Sequence, residues 1–158
     1  MTYFIKNKNC RMNILTWNKT NPTPMTNNNF LPDIEYCLVF KEDYAPRYND
    51  GYELKSKWYV SPINKSDKDL YDHPTIKPLE LVKRHILHST QPNDIVLDCF
   101  LGSGTTCVAA KETGRRYIGF EIDKTYFQIA QDRLNNISQQ TRKQIDSGQM
   151  TIFDMLEN

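Results

Sequence analysis

The segment at residues 98–106, Asp-Cys-Phe-Leu-Gly-Ser-Gly-Thr-Thr, constrains the fold of this chain more than any other. The apolar run at 95–100 predicts a β-strand, and the small residues from Thr105 to Thr113 predict a helix, so a glycine turn joins the two directly. Gly102 and Gly104 let the backbone pass close under a ligand, and the start of the helix offers free N–H groups to an anionic or carboxylate-bearing ligand. Since G-x-G is a weak pattern alone, a tight turn that only needs a positive φ is the competing interpretation.

An acidic residue further along the chain favours the ligand-binding interpretation. Glu121 lies near the end of the next predicted strand, at residues 117–122, about twenty residues after the glycine turn. Nucleotide-binding α/β units place a carboxylate there to hold ribose hydroxyls. Cys107 occupies the position of the third glycine of G-x-G-x-x-G, which makes a nicotinamide dehydrogenase the poorer fit.

The flanking sequence predicts further helices and strands around this turn. Pro78 begins an amphipathic helix that ends near Ser89, and Asp123 caps a helix whose apolar residues repeat at helical spacing to residue 137. Two β-branched runs, at residues 13–18 and 34–40, predict strands near the start of the chain. Residues 44–72 mix tyrosine, tryptophan and lysine and predict a small irregular insert.

Charge and cysteine content exclude several classes of protein. Twenty Lys and Arg residues stand against 19 Asp and Glu residues, a formal charge of +1, so no basic arm or acidic tail indicates a partner. The four cysteines and three histidines lack metal-ligand spacing, so we predict no metal site and interpret the cysteines as small buried hydrophobic residues. No apolar run reaches the ~20 residues of a membrane span, and the first residues lack a signal-peptide core, which predicts a cytoplasmic chain.

Three motifs occur in an order that resembles a known enzyme family. They are H-P-T-I-K-P at residues 73–78, D-C-F-L-G-S-G-T-T at 98–106 and G-F-E-I-D at 119–123. In this order they resemble the S-adenosylmethionine-binding half of DNA amino-methyltransferases of the permuted beta group, which methylate adenine N6 or cytosine N4. W-N-K-T-N-P-T-P at 17–24 and E-Y-C-L-V-F-K at 35–41 resemble the hairpin region of that family. The resemblance implies an α/β fold, a Rossmann-like three-layer sandwich, incomplete here, with an antiparallel hairpin at one edge.

The resemblance assigns site residues one by one. It implies that Thr75 and Lys77 contact the methionine end of the cofactor, S-adenosylmethionine, and that Glu121 holds its ribose, with Ile122 or Asp123 beside the adenine. The residues of the turn itself that it assigns to the cofactor are Asp98, Phe100, Gly102, Gly104 and Thr105. The residues that it places on the DNA or target-base side are Trp17, Asn18, Lys19, Asn21 and Pro22. A solvated Lys77 and a purely structural Phe100 are the competing interpretations.

The chain departs from the family in two places. Cys99 stands where the family commonly has proline, and the floor of the pocket can accommodate the thiol of this cysteine. More importantly, the D/N/S-P-P-Y/F/W turn that holds the methylated amine is absent, so we assign no catalytic residue. The string Asn21-Pro22-Thr23-Pro24 fails at its third and fourth positions. We therefore expect the C-terminal portion of a methyltransferase, with the catalytic half on a missing segment or a second chain.

Four regions follow: a hairpin region at 1–43, a small target-recognition insert at 44–72, a cofactor-binding region at 73–137 and a polar tail at 138–158. The expected function is site-specific methylation of double-stranded DNA, as in restriction-modification, by a subunit that a partner completes. Two alternatives stay open: an inactive cofactor- or DNA-binding fragment, and the remnant of a truncated gene. For residues 44–72, a solvated surface insert with buried tyrosines is the competing interpretation to DNA recognition.

Overall fold

The structure is a computed structural model, which describes residues 9–24, 30–43, 45, 52–71, 75–136, 142–143 and 146–147. The chain divides into two compact units. The first comprises Met1–Ile63 and Leu87–Gln91, and the second comprises Asn64–Ile86 and Pro92–Asn158.

The first unit contains a three-stranded sheet. Strands β1 (Cys10–Lys19) and β2 (Ile34–Glu42) form the antiparallel pair that the sequence predicts. Strand β3 (Trp58–Ser61) follows a 3-10 turn (Tyr52–Lys55) and pairs with β1 in parallel, which gives the order β2-β1-β3. The predicted antiparallel pair is confirmed, and a third strand extends it. These strands form a sheet separate from β4–β5, so the predicted place of the hairpin at the edge of the parallel sheet stays a prediction.

The prediction that residues 44–72 are irregular is wrong for the part that the structure describes. This part contains β3 and helix α1 (Lys65–Tyr71). The strand is only four residues long, and the helix carries four charged residues in seven, so neither produces the long apolar periodicity on which the prediction depended. Most of residues 44–51, together with residue 72, lie outside the described residues.

The second unit alternates helices and strands. Strands β4 and β5 pair in parallel, with Val96 opposite Tyr117 and Leu97 opposite Ile118. The elements after α1 are α2 (Leu79–Ser89), β4 (Ile95–Asp98), α3 (Thr105–Glu112), β5 (Arg116–Gly119) and α4 (Lys124–Leu134). All belong to the second unit except the last residues of α2, from Leu87 on, which are part of the first. The predicted helices and strands are confirmed, although both strands end two or three residues early because the chain leaves the sheet to form the turns described below. No helix in the described part of the chain is long and apolar enough to cross a membrane.

Small side chains build the core of the second unit. Ala109 and Ala110 of α3 are fully buried against Ile86 of α2 and Val96 of β4, and their size allows the helices to approach closely. A second cluster on the other side of α3 consists of Leu101, Cys107, Ala130 and Leu134. The prediction of a buried cysteine is confirmed for Cys107. It is wrong for Cys37 and Cys99, which are exposed.

One face of the β4–β5 sheet is apolar and open. Val96 packs against the helices, so its neighbours Ile95 and Leu97 point to the opposite face, where Leu97 lies opposite Ile118. These three side chains are 51%, 57% and 45% exposed. In α/β proteins both faces of a parallel sheet are normally covered, so this face lacks a layer within the described residues.

Candidate functional site

The glycine turn between β4 and α3 adjoins the candidate site: Cys99 and Phe100 line its groove, whereas Asp98, Gly102, Gly104 and Thr105 do not. Asp98 ends β4, and its Oδ1 accepts a hydrogen bond from the Phe100 N–H at 3.0 Å, which fixes the first bend. Gly104 is the N-cap of α3 at φ +79°, and its N–H donates to the Leu101 carbonyl at 2.9 Å. No side chain caps α3, so its first N–H groups remain a binding surface for a negatively charged or carboxylate group.

Close packing makes glycine necessary at position 104. A Cβ on Gly104 would lie 2.8 Å from the Cβ and 3.0 Å from the Cα of Ala130 in α4. The turn therefore passes directly over α4. The predicted close passage of the backbone under a ligand stays a prediction.

Glu121 connects the ends of the two strands. Its Oε2 accepts a hydrogen bond from the Gly102 N–H at 2.7 Å, and its Oε1 accepts one from the Asp123 N–H at 2.9 Å. These backbone donors, the Asp123 N–H foremost, lower the pKa of the Glu121 carboxyl below its usual value. The carboxylate is thus ionised at neutral pH, and its remaining lone pairs can accept hydrogen bonds from a ligand's hydroxyls.

A groove of about 500 Å³ opens beside this carboxylate. Phe100 and Ile122 project into solvent at 91% and 98% exposure, although both are large apolar side chains. Such exposure is unusual in a folded protein and indicates a surface that packs against something apolar. The groove is lined by Cys99, Phe100, Gly119, Phe120, Glu121, Ile122 and Phe127.

Asp123 serves the start of α4. Its Oδ1 accepts hydrogen bonds from the Thr125 and Tyr126 N–H groups at 2.8 and 3.0 Å, so the predicted helix cap is confirmed. Asp123 does not line the groove. A contact with the cofactor stays a prediction for this residue.

The segment before α2 holds the other predicted cofactor residues. Thr75 is exposed, Ile76 is 2% exposed, and the Lys77 carbonyl accepts a hydrogen bond from Asn64 Nδ2 at 3.5 Å. His73 and Pro74, the first residues of this motif, lie outside the described residues. Neither Thr75 nor Lys77 is among the residues that line the groove, so their role at the cofactor stays a prediction.

The residues predicted for the target-base side all belong to the first unit. Trp17 is buried, and its indole N–H donates to Ser61 Oγ at 2.9 Å, which attaches β3 to β1. Asn18 Nδ2 donates to the Tyr59 carbonyl at 3.4 Å, and Lys19 Nζ lies 2.9 Å from Glu35 Oε1.

The loop that follows β1 begins at Thr20. The side-chain oxygen of Asn21 accepts a hydrogen bond from the Ile63 N–H at 2.7 Å, while Pro22 is partly exposed. These contacts give most of the predicted target-side residues a structural function in the first unit, and any contact with a base stays a prediction.

Comparison with known proteins decides the family. A family model described as DNA methylase, of the N6/N4 type, matches residues 2–132. The chain belongs to this DNA methylase family.

Two curated methylases resemble the chain along most of its length. It is 40% identical over 136 residues to the Type II methyltransferase M2.LlaDCHI of Lactococcus lactis subsp. cremoris, which covers 78% of this chain and 51% of that protein. It is 39% identical over 135 residues to M2.DpnII of Streptococcus pneumoniae, again over 78% of this chain and 50% of that protein. The chain therefore spans about half the length of the curated relatives it matches.

Solved methylase structures share the fold. The M1.HpyAVI complex with S-adenosylmethionine superimposes with a TM-score of 0.69 at 36% identity, over 80% of this chain and 64% of that one. The cytosine-N4-specific PvuII methyltransferase superimposes with a TM-score of 0.61 at 17% identity, a likeness of fold alone. The chain thus has an incomplete Rossmann-like methyltransferase fold, as the sequence predicts.

Sequence reasoning missed two parts of this methylase site. Phe120 and Phe127 line the groove, and they could have been found because both lie within six residues of Glu121. Arg133 has no predicted role in the sequence analysis, yet its guanidinium is buried under the glycine turn. A buried arginine has no signal in a single sequence, because the helical period predicts only the face on which it lies.

Among the described residues, no group of three or more His, Cys, Asp or Glu side chains is arranged to hold a metal ion.

Proposed function

We propose that this chain is the cofactor-binding part of a DNA amino-methyltransferase. It binds S-adenosylmethionine and, with the rest of the methylase fold, transfers a methyl group to adenine N6 or cytosine N4 in double-stranded DNA. The observation that carries the proposal is the ionised Glu121, hydrogen-bonded to the glycine turn at the side of an apolar groove. A DNA substrate is consistent with a cytoplasmic location.

The groove has the properties that this cofactor requires. Its volume falls within the range of small-molecule sites, and it combines flat apolar walls for an adenine ring with one carboxylate for ribose hydroxyls. Phe100 and Ile122 supply the walls, and Glu121 supplies the carboxylate. The free N–H groups at the start of α3, with Asp98 and the segment of Thr75 and Lys77, suit the charged methionine end.

The chemistry needs mainly positioning. When bound, S-adenosylmethionine supplies an electrophilic methyl group on a sulfonium, and displacement by the exocyclic amine of a flipped base needs no covalent enzyme intermediate. The turn, Glu121 and the apolar walls fix the place and orientation of the cofactor, which is the contribution of this part of the fold to the rate.

A second polypeptide segment completes the site in this proposal. The open face formed by Ile95, Leu97 and Ile118 is apolar, and the chain spans about half of its relatives. The occupant that fits both observations is the remaining half of a methylase fold, which would cover this face and bring the D/N/S-P-P-Y/F/W turn. We therefore assign the open face to that half.

The alternative is a fragment that binds cofactor or DNA without catalysis. The absence of the D/N/S-P-P-Y/F/W turn from this sequence is the specific observation that favours it.

A complementation assay distinguishes the two. The chain is mixed with labelled S-adenosylmethionine and unmethylated genomic DNA, alone or with a fragment of M2.LlaDCHI comprising the part that this chain does not match. We expect no incorporation by the chain alone and incorporation by the mixture, and mass spectrometry of the nucleosides identifies the methylated base. Incorporation by the chain alone would refute the need for a partner, whereas none in the mixture, with cofactor binding intact, would favour the alternative.

Two variants locate the contact. Leu97→Glu on the open face should abolish complementation and leave cofactor binding intact. Leu70→Glu, the same change at an exposed leucine of α1, should complement normally. Equal loss in both variants would contradict the assignment of the open face.

A further inference from the structure

The guanidinium of Arg133 lies directly beneath the glycine turn. Its Nη1 donates to the Ser103 carbonyl and to Thr105 Oγ1, both at 2.8 Å, and to Ser103 Oγ at 3.2 Å. The side chain is 3% exposed, and burial, the largest influence, lowers its pKa although an acidic partner opposes the shift. A buried charge is retained in a fold only where hydrogen bonds and an opposite charge compensate its desolvation.

The opposite charge comes from a different helix. Asp67 of α1 lies 3.1 Å from Arg133 Nη2, and the ring of Tyr71, one turn later, stands 5.5 Å from the guanidinium carbon. Asp67 is itself oriented by Asn64, whose Nδ2 donates to Asp67 Oδ2 at 2.8 Å while its Oδ1 accepts from the Asp67 N–H at 3.2 Å.

The same asparagine reaches the other cofactor segment. Asn64 Nδ2 is 3.5 Å from the Lys77 carbonyl, so one continuous set of polar contacts runs from Lys77 through Asn64, Asp67 and Arg133 to Ser103. The two ends of this set are the segment that contains Lys77 and the glycine turn, which are the two segments that the proposed function assigns to the methionine end of the cofactor.

We propose that Arg133 and Asp67 are positioning residues of the cofactor site, which hold the glycine turn and the segment of Lys77 at a fixed separation. The inference depends on the proposed function for the identity of the ligand. Neither residue lines the groove, so both act through the backbone that they hold. The planar fork of arginine is required, because one guanidinium must contact the turn and Asp67 at the same time, which the single ammonium of lysine does not reproduce.

The test measures S-adenosylmethionine affinity by calorimetry at a temperature where circular dichroism shows each variant to be folded. Asp67→Asn and Arg133→Lys should each weaken binding on the order of tenfold, the effect of one hydrogen bond to a charged group. The matched controls are Asp69→Asn, an exposed acid on the same helix, and Arg116→Lys, an exposed arginine of β5. Both controls should bind as the unaltered chain does.

A second measurement needs no ligand. Hydrogen exchange at the N–H groups of residues 102–105 should accelerate in Asp67→Asn and stay unchanged in Asp69→Asn. If the unaltered chain does not bind S-adenosylmethionine, the proposed function fails, and this exchange measurement alone decides whether the contacts hold the turn. Unchanged affinity and unchanged exchange in folded Asp67→Asn would overturn the inference.

A structural role without positioning has its own outcome. If Asp67 and Arg133 only stabilise the fold, Asp67→Asn and Arg133→Lys should be less stable but should bind S-adenosylmethionine with normal affinity when folded. That result would also overturn the inference. Asp67→Asn keeps a side-chain oxygen and nearly the same volume, so it is the variant expected to fold if Arg133→Lys does not.

Discussion

Gly104 shows how one residue can be fixed by two independent requirements. It has φ +79°, and its missing Cβ is the space that Ala130 occupies. Gly114 has a similar φ of +74°, but a Cβ added there would meet no atom within 4 Å. At this position only the positive φ favours glycine.

These two glycines form a matched pair for mutation. Gly114→Ala should cost about 1 kcal/mol of unfolding free energy, the penalty of a left-handed backbone for an ordinary residue. Gly104→Ala should cost about 1–3 kcal/mol more, because α3 and α4 must move apart. Urea unfolding measures both values, and equal losses would contradict the close packing at Ala130.

Glu121 should make the stability of the chain dependent on pH in the acidic range. Its pKa is lowered in the folded state, so on acidification Glu121 takes up a proton at a higher pH in the unfolded chain than in the folded one. Its contribution to the free energy of unfolding is therefore fully present above the ordinary pKa of a glutamate. It is lost as the pH falls through the lowered value. Unfolding free energies of the unaltered chain and of Glu121→Gln should therefore differ at neutral pH and converge in acid, and a constant difference would contradict the hydrogen bonds to Gly102 and Asp123.

Cys107 should be the least reactive of the described cysteines. Burial, the main cause, raises the pKa of its thiol to about 11, so the reactive thiolate is scarce at neutral pH, and the sulfur is also shielded. Cys99 is exposed at the side of the groove. Alkylation with iodoacetamide followed by mass spectrometry should label Cys99 in the folded chain and Cys107 only in urea, and comparable native rates would contradict this packing.

At the scale of single elements, the start of α4 is the best-defined helix boundary in the second unit. Asp123 accepts two backbone hydrogen bonds there and places Glu121 two residues before the cap. The start of α4 therefore helps to determine the position of Glu121 beside the groove.

Removal of this cap should have a selective cost. Asp123→Ala should lower the unfolding free energy by about 1 kcal/mol, whereas Asp123→Asn, which still caps, should lose much less. Thermal unfolding monitored by circular dichroism checks the order. If the two variants are equally unstable, the charge rather than the cap explains the role of Asp123.

The sequence determined the helices and strands of the second unit because each is bounded by an interpretable signal. Pro78 directly precedes α2, Gly114 follows α3, and Asp123 caps α4, and each acts within a few residues. Strand β3 lacked such a signal, since four residues that pair in parallel with β1 depend on contacts with distant Thr16 to Lys19.

The site was predictable to a similar degree. Motif resemblance assigned the glycine turn, Phe100 and Glu121 to one site. Phe100 and Glu121 line the groove, and Gly102 of the turn donates a hydrogen bond to Glu121. It also assigned Trp17 to the target-base side, although the indole is buried against Ser61. The Arg133 contacts were out of reach, because a link between residues 67, 133 and 103 is a property of tertiary packing rather than of any local spacing.

At the scale of the whole molecule, the main feature is an asymmetry between the covered and the open sides of the β4–β5 sheet. Helices α2 and α3 cover the Val96 side, while Ile95, Leu97 and Ile118 remain exposed on the other. Parallel sheets are normally covered on both faces, and a ligand that binds only the folded chain should stabilise it measurably.

The central claim is that the groove beside Glu121 binds S-adenosylmethionine. The most direct test is isothermal titration of the purified chain with S-adenosylmethionine, repeated with Gly102→Asp, which crowds the turn and adds a negative charge, and with Glu121→Ala. We predict one saturable site in the unaltered chain, no measurable binding by Gly102→Asp, and affinity lower by roughly ten- to a hundredfold in Glu121→Ala. Unchanged affinity in both variants would place the cofactor elsewhere and contradict this claim.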